Sequence, residues 1–463
     1  MRATSSTGQA LEAFSLSPAA GLLKSIAGGA GWKLGADLVG RAMQYLLLLA
    51  AARSLSVGEF GDVTFALGLG YMLAQVADFG LQLFVQRELA RQVLPEASAP
   101  PFFKDEASAA RLVGGGLVIK AGLSAAAMVL MGTVVLLEPV GHKGAVLLLG
   151  LSMVLMTGLE YLSYCFRALR KLKYEALALM LARGSNLLLG VALLYLGAGV
   201  WGLALAGNAA MLLALVFGYR LLAGYVKPIW WVDVAYWRRH IWQPTAMGLG
   251  IVFSIISFRV DNLLMLPVVG REGLGLYNAA YKLFEPTLLI PSVLLAATFP
   301  MLANLAQSGG AGRFRQVAGQ TVTILLIAGT GVTVVLALVA VPAITLLYGR
   351  EYAQAAGLLQ ILAFACLPLF VNYGLTHILV AMDRPHLYAI FTLAALAVNI
   401  AGNLTLLPVM GARGAALATV ATEVVLLALC AGALWRYLLA GKRIAKPAEA
   451  IETAHTTTTG GAA

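Results

Sequence analysis

Long apolar runs recur along the chain, separated by short segments that carry charges, glycine and proline. Each run has about twenty residues, which as a helix is enough to cross the hydrocarbon core of a bilayer. The pattern predicts about twelve spanning helices, at 32–54, 62–84, 111–137, 144–166, 175–197, 200–223, 243–268, 277–304, 317–345, 353–381, 386–407 and 412–438.

The first run, 32–54, also carries Lys33, Asp37, Arg41 and Gln44. These positions are spaced by four, four and three residues, which places them on one face of a helix. A charge at the bilayer centre costs roughly 3 kcal/mol or more. We therefore expect this stripe to face other helices or a water-filled cavity.

Composition agrees with a helical membrane protein. Hydrophobic residues make up 60% of the 463 positions and charged residues only 11%, whereas a soluble domain is about 25% charged. The net charge of +11 does not imply a nucleic-acid partner, because basic residues collect in cytoplasmic loops of membrane proteins. Cys165, Cys366 and Cys430 lie inside apolar runs and are predicted to be buried free thiols.

Basic residues are distributed unequally between alternate connections. One side collects about twenty Lys and Arg, and the other holds only Arg53, Lys143, Arg271, Arg350 and Arg413, with Lys282 near one edge. The rich side is predicted to be cytoplasmic, with both termini on it. Residues 1–31 are then a cytoplasmic segment and 441–463 a disordered cytoplasmic tail.

Two halves of the chain repeat each other. The aromatic-rich segment 224–242 is predicted to be an interfacial linker between six-helix bundles at 32–223 and 243–440. Three pairs of segments match at offsets of about 213 residues: 57–63 with 271–277, 168–171 with 381–384, and 199–204 with 411–416. Two bundles of equal topology with a cleft between them are typical of alternating-access transporters.

Several short motifs carry a resemblance to a known family. They are Gly58-Glu59-Phe60-Gly61, Phe79-Gly80-Leu81 followed by Arg87-Glu88, Arg259-Val260-Asp261-Asn262, and the segment from Leu274 to Tyr281. In order and spacing the chain resembles the multidrug/oligosaccharidyl-lipid/polysaccharide exporter superfamily, in particular its polysaccharide transporter (oligosaccharide flippase, Wzx-like) branch. The likeness extends from about residue 25 to about residue 440.

The resemblance implies an all-α protein with two pseudo-symmetric bundles around a central cavity. Such proteins move a polyprenyl-diphosphate-linked oligosaccharide to the outer leaflet of the bacterial cytoplasmic membrane, for exopolysaccharide or O-antigen synthesis. The partners implied are this lipid-linked substrate, membrane lipids and other polysaccharide-assembly proteins, for a protein that acts as a monomer. No cofactor, metal or nucleic acid is expected.

Four cations within the predicted spans are candidate ligands for the diphosphate: Arg41, Arg183, Arg259 and Lys282. Arginine suits this role because its planar guanidinium presents paired donors to phosphate oxygens. An alternative for the first span is a self-neutralising ladder in which Asp37 pairs with Arg41 or Lys33. For Arg183 the alternative is a structural partner such as Glu160 or Asp78.

Five acids are candidates for ion pairing, gating or coupling: Asp37, Asp78, Asp261, Glu285 and Glu423. Lys282 and Glu285 are three residues apart on a helix and can neutralise each other. Asp261 is expected in a structural or gating ion pair, separate from Arg259, because residues two apart do not share a helix face. Glu423 needs a partner that the sequence does not name.

Two other functions fit the same architecture less well. A cation-coupled multidrug exporter would favour an acidic cavity for cationic substrates, and a lipid II flippase is expected to have further spans. An enzyme is a different class, and its catalytic groups would need substantial outer loops, whereas the outer connections here are short. The five histidines are scattered and form no catalytic or metal-binding motif.

Overall fold

The computed structural model describes residues 18–78, 80–94, 103–240, 246–308 and 311–439. Apart from one isolated antiparallel bridge between Val93 and Phe103, the regular structure in these ranges is helical. The predicted tail at 441–463 and the first part of the predicted segment 1–31 lie outside the described residues. The three cysteines are free and buried, as predicted.

Fifteen α-helices make up the described chain. They are α1 Pro18–Ser54, α2 Val57–Asp78, α3 Leu81–Gln92, α4 Glu106–Leu137, α5 Lys143–Ala168, α6 Leu172–Tyr195, α7 Gly199–Ala223, α8 Val234–His240, α9 Ala246–Ser257, α10 Val260–Phe284, α11 Leu289–Gln307, α12 Ala311–Leu347, α13 Ala355–Ala381, α14 Pro385–Met410 and α15 Ala412–Leu439. Two 3₁₀ turns, Glu285–Leu288 and Arg350–Tyr352, connect neighbouring helices.

Ten helical segments within the described residues are long and apolar enough to cross a membrane. One of them, Val252–Gln307, has 56 residues and covers the predicted eighth span and most of the predicted seventh. The all-α polytopic class is therefore confirmed. The first predicted span lies within α1, which is one continuous helix of 37 residues.

The seventh and eighth spans are not the uninterrupted helices that their hydropathy predicts. The seventh is broken between α9 and α10, where Arg259 has non-helical dihedral angles. A second break is at Gly270, whose φ of 68° suits glycine because it has no Cβ. The 3₁₀ turn at Glu285–Leu288 then separates α10 from α11, with Pro286 near its start.

Helix α2 begins at a capping box. The Ser56 backbone N–H and hydroxyl donate to Glu59 Oε2 at 3.0 and 2.8 Å, and the Glu59 N–H donates to Ser56 Oγ at 3.3 Å. These reciprocal bonds satisfy backbone donors that the first turn of a helix leaves free. They fix the start of α2 at the repeated segment 57–63.

Contacts between helices divide the chain into two compact units, which we call unit 1 and unit 2. Unit 1 comprises the described residues of Met1–Ala51, Gly80–Ala126 and Leu151–Ile241. Unit 2 comprises those of Ala52–Phe79, Ala127–Gly150 and Trp242–Ala463. Helix α2 therefore packs with the second half of the chain although it precedes the predicted linker. The division into halves at 32–223 and 243–440 stays a prediction.

The linker segment docks onto α4 within unit 1. The Ile229 N–H donates to the Ala110 carbonyl at 3.0 Å, and a Cβ at Gly114 would collide with the Ile229 backbone. Trp237 is buried in the unit 1 core, whereas Trp230 and Trp231 are exposed. Exposed tryptophans next to a buried one suit a segment at the headgroup level of a membrane.

In unit 2 the repeated segments of α2 and α10 contact each other. A Cβ at Gly61 would overlap the Arg271 carbonyl oxygen, and a Cβ at Gly275 would overlap the Val57 carbonyl oxygen. The repeat register matches Val57 with Arg271 and Gly61 with Gly275, so the contact is reciprocal, as at an interface with twofold symmetry. Small residues at these points allow the two backbones to approach closely.

We predict that Gly61→Ala lowers the melting temperature of the purified protein in detergent. The added methyl group meets backbone, which cannot move aside as a side chain can, so α2 and α10 must separate. Overpacking of this kind costs about 1–3 kcal/mol. Gly58→Ala is the matched control, because its Cβ would meet only ordinary contacts, the nearest at 3.6 Å. Equal melting temperatures for the two variants would contradict the prediction.

Candidate functional site

Arg259, Lys282 and Glu285 form a charged cluster in unit 2. Arg259 Nη2 donates to Glu285 Oε1 at 2.6 Å, and Lys282 Nζ donates to Glu285 Oε2 at 2.7 Å. Two cations thus share one carboxylate, and the cluster retains one positive charge. The Lys282–Glu285 pair follows the predicted spacing, whereas the Arg259 partner lies 26 residues later in the chain and was not predicted.

This cluster sits where the helices are interrupted. Arg259 occupies the break between α9 and α10, and Glu285 opens the 3₁₀ turn that follows α10. Interrupted helices leave backbone groups and side chains available for ligands inside a membrane, and transporters place their substrate and ion sites at such interruptions. The breaks also explain how two charges distant in sequence meet.

Asp261 does not form the ion pair that the sequence predicted. Its carboxylate accepts hydrogen bonds from the Tyr277 hydroxyl at 2.5 Å and the Asn262 N–H at 2.8 Å, and no ion pair of Asp261 is found among the described residues. The buried carboxylate is satisfied by neutral donors of its own helix. Beside it, Asn278 Nδ2 donates to Asn262 Oδ1 at 2.9 Å.

Glu423, for which the sequence named no partner, is buried and bonded to α13. Asn372 Nδ2 donates to Glu423 Oε2 at 2.7 Å and to the Glu423 carbonyl at 2.9 Å. One amide group therefore connects the side chain and the backbone of α15 to α13. The described hydrogen bonds of Glu423 do not involve Arg259, Lys282 or Glu285.

Unit 1 contains a second cluster, between α1 and α6. Arg183 Nη1 lies 3.9 Å from Asp37 Oδ1 and donates to the Asp37 carbonyl at 3.5 Å. Arg41 is exposed, and its charge and that of Glu160 act on the Arg183 guanidinium. The predicted i,i+4 pair between Asp37 and Arg41 is therefore absent from the described contacts, because Asp37 turns to α6 instead.

Gly40 makes room for this contact. A Cβ there would lie 2.5 Å from Arg183 Nη1 and 2.6 Å from Arg183 Cδ. The guanidinium therefore crosses α1 in the groove that the glycine leaves. Arg183 Nε is buried there without a hydrogen-bond partner in the described residues, so the group retains a donor for a further acceptor.

The sequence also offered Asp78 as a partner for Arg183 and Lys33 as a partner for Asp37. Asp78 is the last residue of α2 and is buried, and the Arg183 contacts described above do not include it. Lys33 lies in α1, but its side chain falls outside the described residues. The structure thus brings Arg183 together with Asp37, and Arg259 together with Lys282 and Glu285, as two separate clusters.

An ion pair between Asp62 and Arg271 was missed by the sequence reasoning. Asp62 is fully buried, and Arg271 Nε donates to both of its carboxylate oxygens, at 2.9 and 3.0 Å. Arg271 Nη2 and the Gly141 N–H add bonds of 2.5 and 3.1 Å to Asp62 Oδ2. The sequence could have indicated this pair, because Asp62 and Arg271 lie within the repeated segments 57–63 and 271–277.

The sequence pattern of one family matches a large part of the chain. The family is described as "Polysaccharide biosynthesis protein", and it matches residues 26–306, more than half of the sequence. The chain belongs to this family. It is a transporter of the multidrug/oligosaccharidyl-lipid/polysaccharide exporter superfamily, as the sequence motifs predicted.

Solved structures of the same superfamily share the fold. A multidrug MATE transporter in an inward-facing conformation has a TM-score of 0.71 at 15% identity, covering 85% of this chain and 93% of its own. A transporter from Pyrococcus furiosus, described as having a binding pocket of reverse polarity that suggests a different function, has a TM-score of 0.61 at 16% identity, with 89% of this chain and 96% of its own covered. A comparison with proteins of curated function finds no match.

We predict that Asp62→Asn destabilises the protein by about 1–3 kcal/mol, because the Arg271 guanidinium loses a charged acceptor in a buried site. The measurement is the melting temperature in detergent. Glu272→Gln is the matched control, since Glu272 is an exposed acid beside Arg271. The role of Asp62 is refuted if the two variants melt at the same temperature.

Proposed function

We propose that this transporter moves a polyprenyl-diphosphate-linked oligosaccharide across the bacterial cytoplasmic membrane, by alternating access, with both termini in the cytoplasm. The glycan serves the synthesis of a surface polysaccharide. Membership in the polysaccharide biosynthesis family supports the substrate class. The observation that carries the proposal is the bridging of Arg259 and Lys282 by a single carboxylate.

The geometry of Glu285 resembles what a phosphate group requires. One oxygen accepts from a guanidinium and the other from an ammonium, and phosphate oxygens accept such charge-assisted bonds with similar lengths. A diphosphate carries more negative charge than the carboxylate and offers more acceptor oxygens. It therefore competes with Glu285 for both cations, while Glu285 keeps them paired when substrate is absent.

Unit 1 offers a second candidate site for the headgroup. Arg183 Nη1 lies 3.9 Å from Asp37 Oδ1, so this contact is looser than those of Glu285, at 2.6 and 2.7 Å. A loose pair costs less to open than a tight one, so an incoming phosphate displaces Asp37 more easily than Glu285. We propose that each unit contributes one diphosphate-binding cluster, and that the headgroup meets them successively during transport.

A multidrug exporter is the competing function, and the solved relatives include multidrug transporters. Its cationic substrates would seek acids that lack cationic partners, and among the described residues Asp261 and Glu423 are such acids, each bonded to neutral donors. At the cluster, by contrast, two cations already share Glu285. The charge balance of the cluster thus favours an anionic substrate over a cationic one.

We predict that Arg259→Gln slows flipping of polyprenyl-diphosphate-linked N-acetylglucosamine in proteoliposomes at least about tenfold, which is about 1.4 kcal/mol. The readout is labelling of the sugar by a glycosyltransferase added outside the vesicles. Arg313→Gln, at an exposed arginine near the start of α12, is the control and should leave the rate unchanged. If wild-type protein leaves the glycolipid in place and exports ethidium, the multidrug function is correct instead.

The same assay tests unit 1 through Gly40→Ala. The new methyl group displaces the flexible Arg183 side chain, so we expect slower flipping with little loss of melting temperature. Gly35→Ala, on the same helix with no heavy atom within 4 Å of its Cβ, is the control. A Gly40→Ala rate equal to that of Gly35→Ala would show that the Arg183 position does not matter for transport.

A further inference from the structure

A cavity of about 450 Å³ lies within unit 2, and its lining includes none of Arg259, Lys282 and Glu285. Its volume falls in the range of small-molecule sites, roughly 300–1,000 Å³. Helix α11 contributes one face at helical spacing, and α13 contributes another; Tyr388 of α14 completes the wall. The lining residues are Ser292, Leu295, Ala296, Phe299, Pro300, Tyr373, Thr376, His377, Val380 and Tyr388.

Aromatic rings dominate one side of this cavity. Tyr373 and His377 are stacked, with ring centroids 5.9 Å apart and an interplanar angle of 18°. Phe299 meets His377 edge to face at 5.7 Å. Tyr388 packs against α9, where any side chain on Gly250 would overlap its ring. These contacts hold the rings in place before any ligand binds.

Several polar atoms of the lining can accept a hydrogen bond from a ligand. His377 Nδ1 lies 2.7 Å from the Tyr373 carbonyl, which can only accept, so Nδ1 carries the hydrogen and Nε2 of the neutral ring accepts. The hydroxyls of Ser292 and Thr376 donate to carbonyls of their own helices, at 2.8 Å each. Their oxygen lone pairs are left for a ligand.

One further acceptor comes from the backbone. Pro300 has no N–H, so the carbonyl of Ala296, four residues earlier, loses its normal helical donor. Both residues line the cavity. The site therefore combines apolar faces with acceptors, and its lining includes no Asp, Glu, Lys or Arg among the described residues.

We propose that this cavity binds a neutral sugar ring of the lipid-linked glycan, an inference that rests on the proposed function. A sugar ring offers hydroxyl donors at its edge and C–H groups on its faces, which match acceptors and aromatic rings respectively. A polyprenyl chain has no donors for these acceptors. A diphosphate finds no cation in the described lining, and a cationic drug finds no carboxylate there.

The test compares two probes on the purified full-length protein in nanodiscs. One is polyprenyl diphosphate, and the other is the same lipid bearing one neutral sugar, taken from a panel of hexoses and N-acetylhexosamines. We expect at least one sugar to bind tighter than the bare lipid. His377→Leu and Tyr373→Leu should abolish that difference, a loss of about fivefold or more in affinity, and leave binding of the bare lipid unchanged.

Two controls separate folding from recognition. Tyr373→Phe keeps the ring face and should retain most of the sugar effect, and Phe364→Ala changes an exposed residue of the same helix and should retain all of it. If the cavity variants weaken the bare lipid equally, the cavity holds the prenyl chain and the proposal is overturned. It is also overturned if no sugar in the panel improves binding over the bare lipid.

The two proposals fail in different ways. A separate experiment measures the binding of lipid-free oligosaccharides of the same sugars by saturation-transfer NMR. If wild-type protein binds these sugars through His377 and Tyr373 but binds neither lipid, the flippase proposal fails and the sugar site stands. If the bare lipid binds through Arg259 but no sugar binds or improves lipid binding, only the sugar-site proposal is refuted. If no probe binds, both are wrong.

Discussion

Charges buried in an apolar chain need partners, and this requirement organises much of the protein. An unpaired charge in a membrane is costly in free energy. Accordingly, Arg259 and Lys282 share Glu285, Arg183 lies 3.9 Å from Asp37, and Arg271 binds Asp62. The pairs are not equivalent. The Asp62 carboxylate is fully enclosed and receives several donors, which suits a structural contact. Glu285 is instead shared by two cations, and the Arg183–Asp37 contact is long at 3.9 Å.

Glycines decide where these contacts form. Gly40 leaves the groove that Arg183 crosses, and Gly61 with Gly275 allows the reciprocal approach of α2 and α10. At Gly270 the positive φ interrupts α10. Close backbone approach thus places the ion pairs, because long cationic side chains reach a fixed carboxylate only when the helices that carry them are near.

The proposed substrate combines the chemistry of the two kinds of site. A diphosphate requires cations that can leave their carboxylate, and a glycan requires acceptors beside apolar faces. Unit 2 has both within one compact body, in the cluster around Glu285 and in the cavity between α11 and α13. The proposed transporter then recognises the constant phosphate part electrostatically and the variable sugar part through rings and neutral acceptors.

The sequence by itself determined the membrane class, nearly all of the helices and the family, because these depend on run length, composition and short motifs. It also identified the charged residues and the local Lys282–Glu285 pair, which follows from helical spacing. The tertiary structure decided the long-range partners: Glu285 for Arg259, Arg183 for Asp37 in place of Arg41, Asn372 for Glu423, and Asp62 for Arg271. Hydropathy does not reveal the helix breaks at Arg259 and Gly270. Helical periodicity predicts contacts only between residues of the same helix. A partner on another helix is fixed by packing.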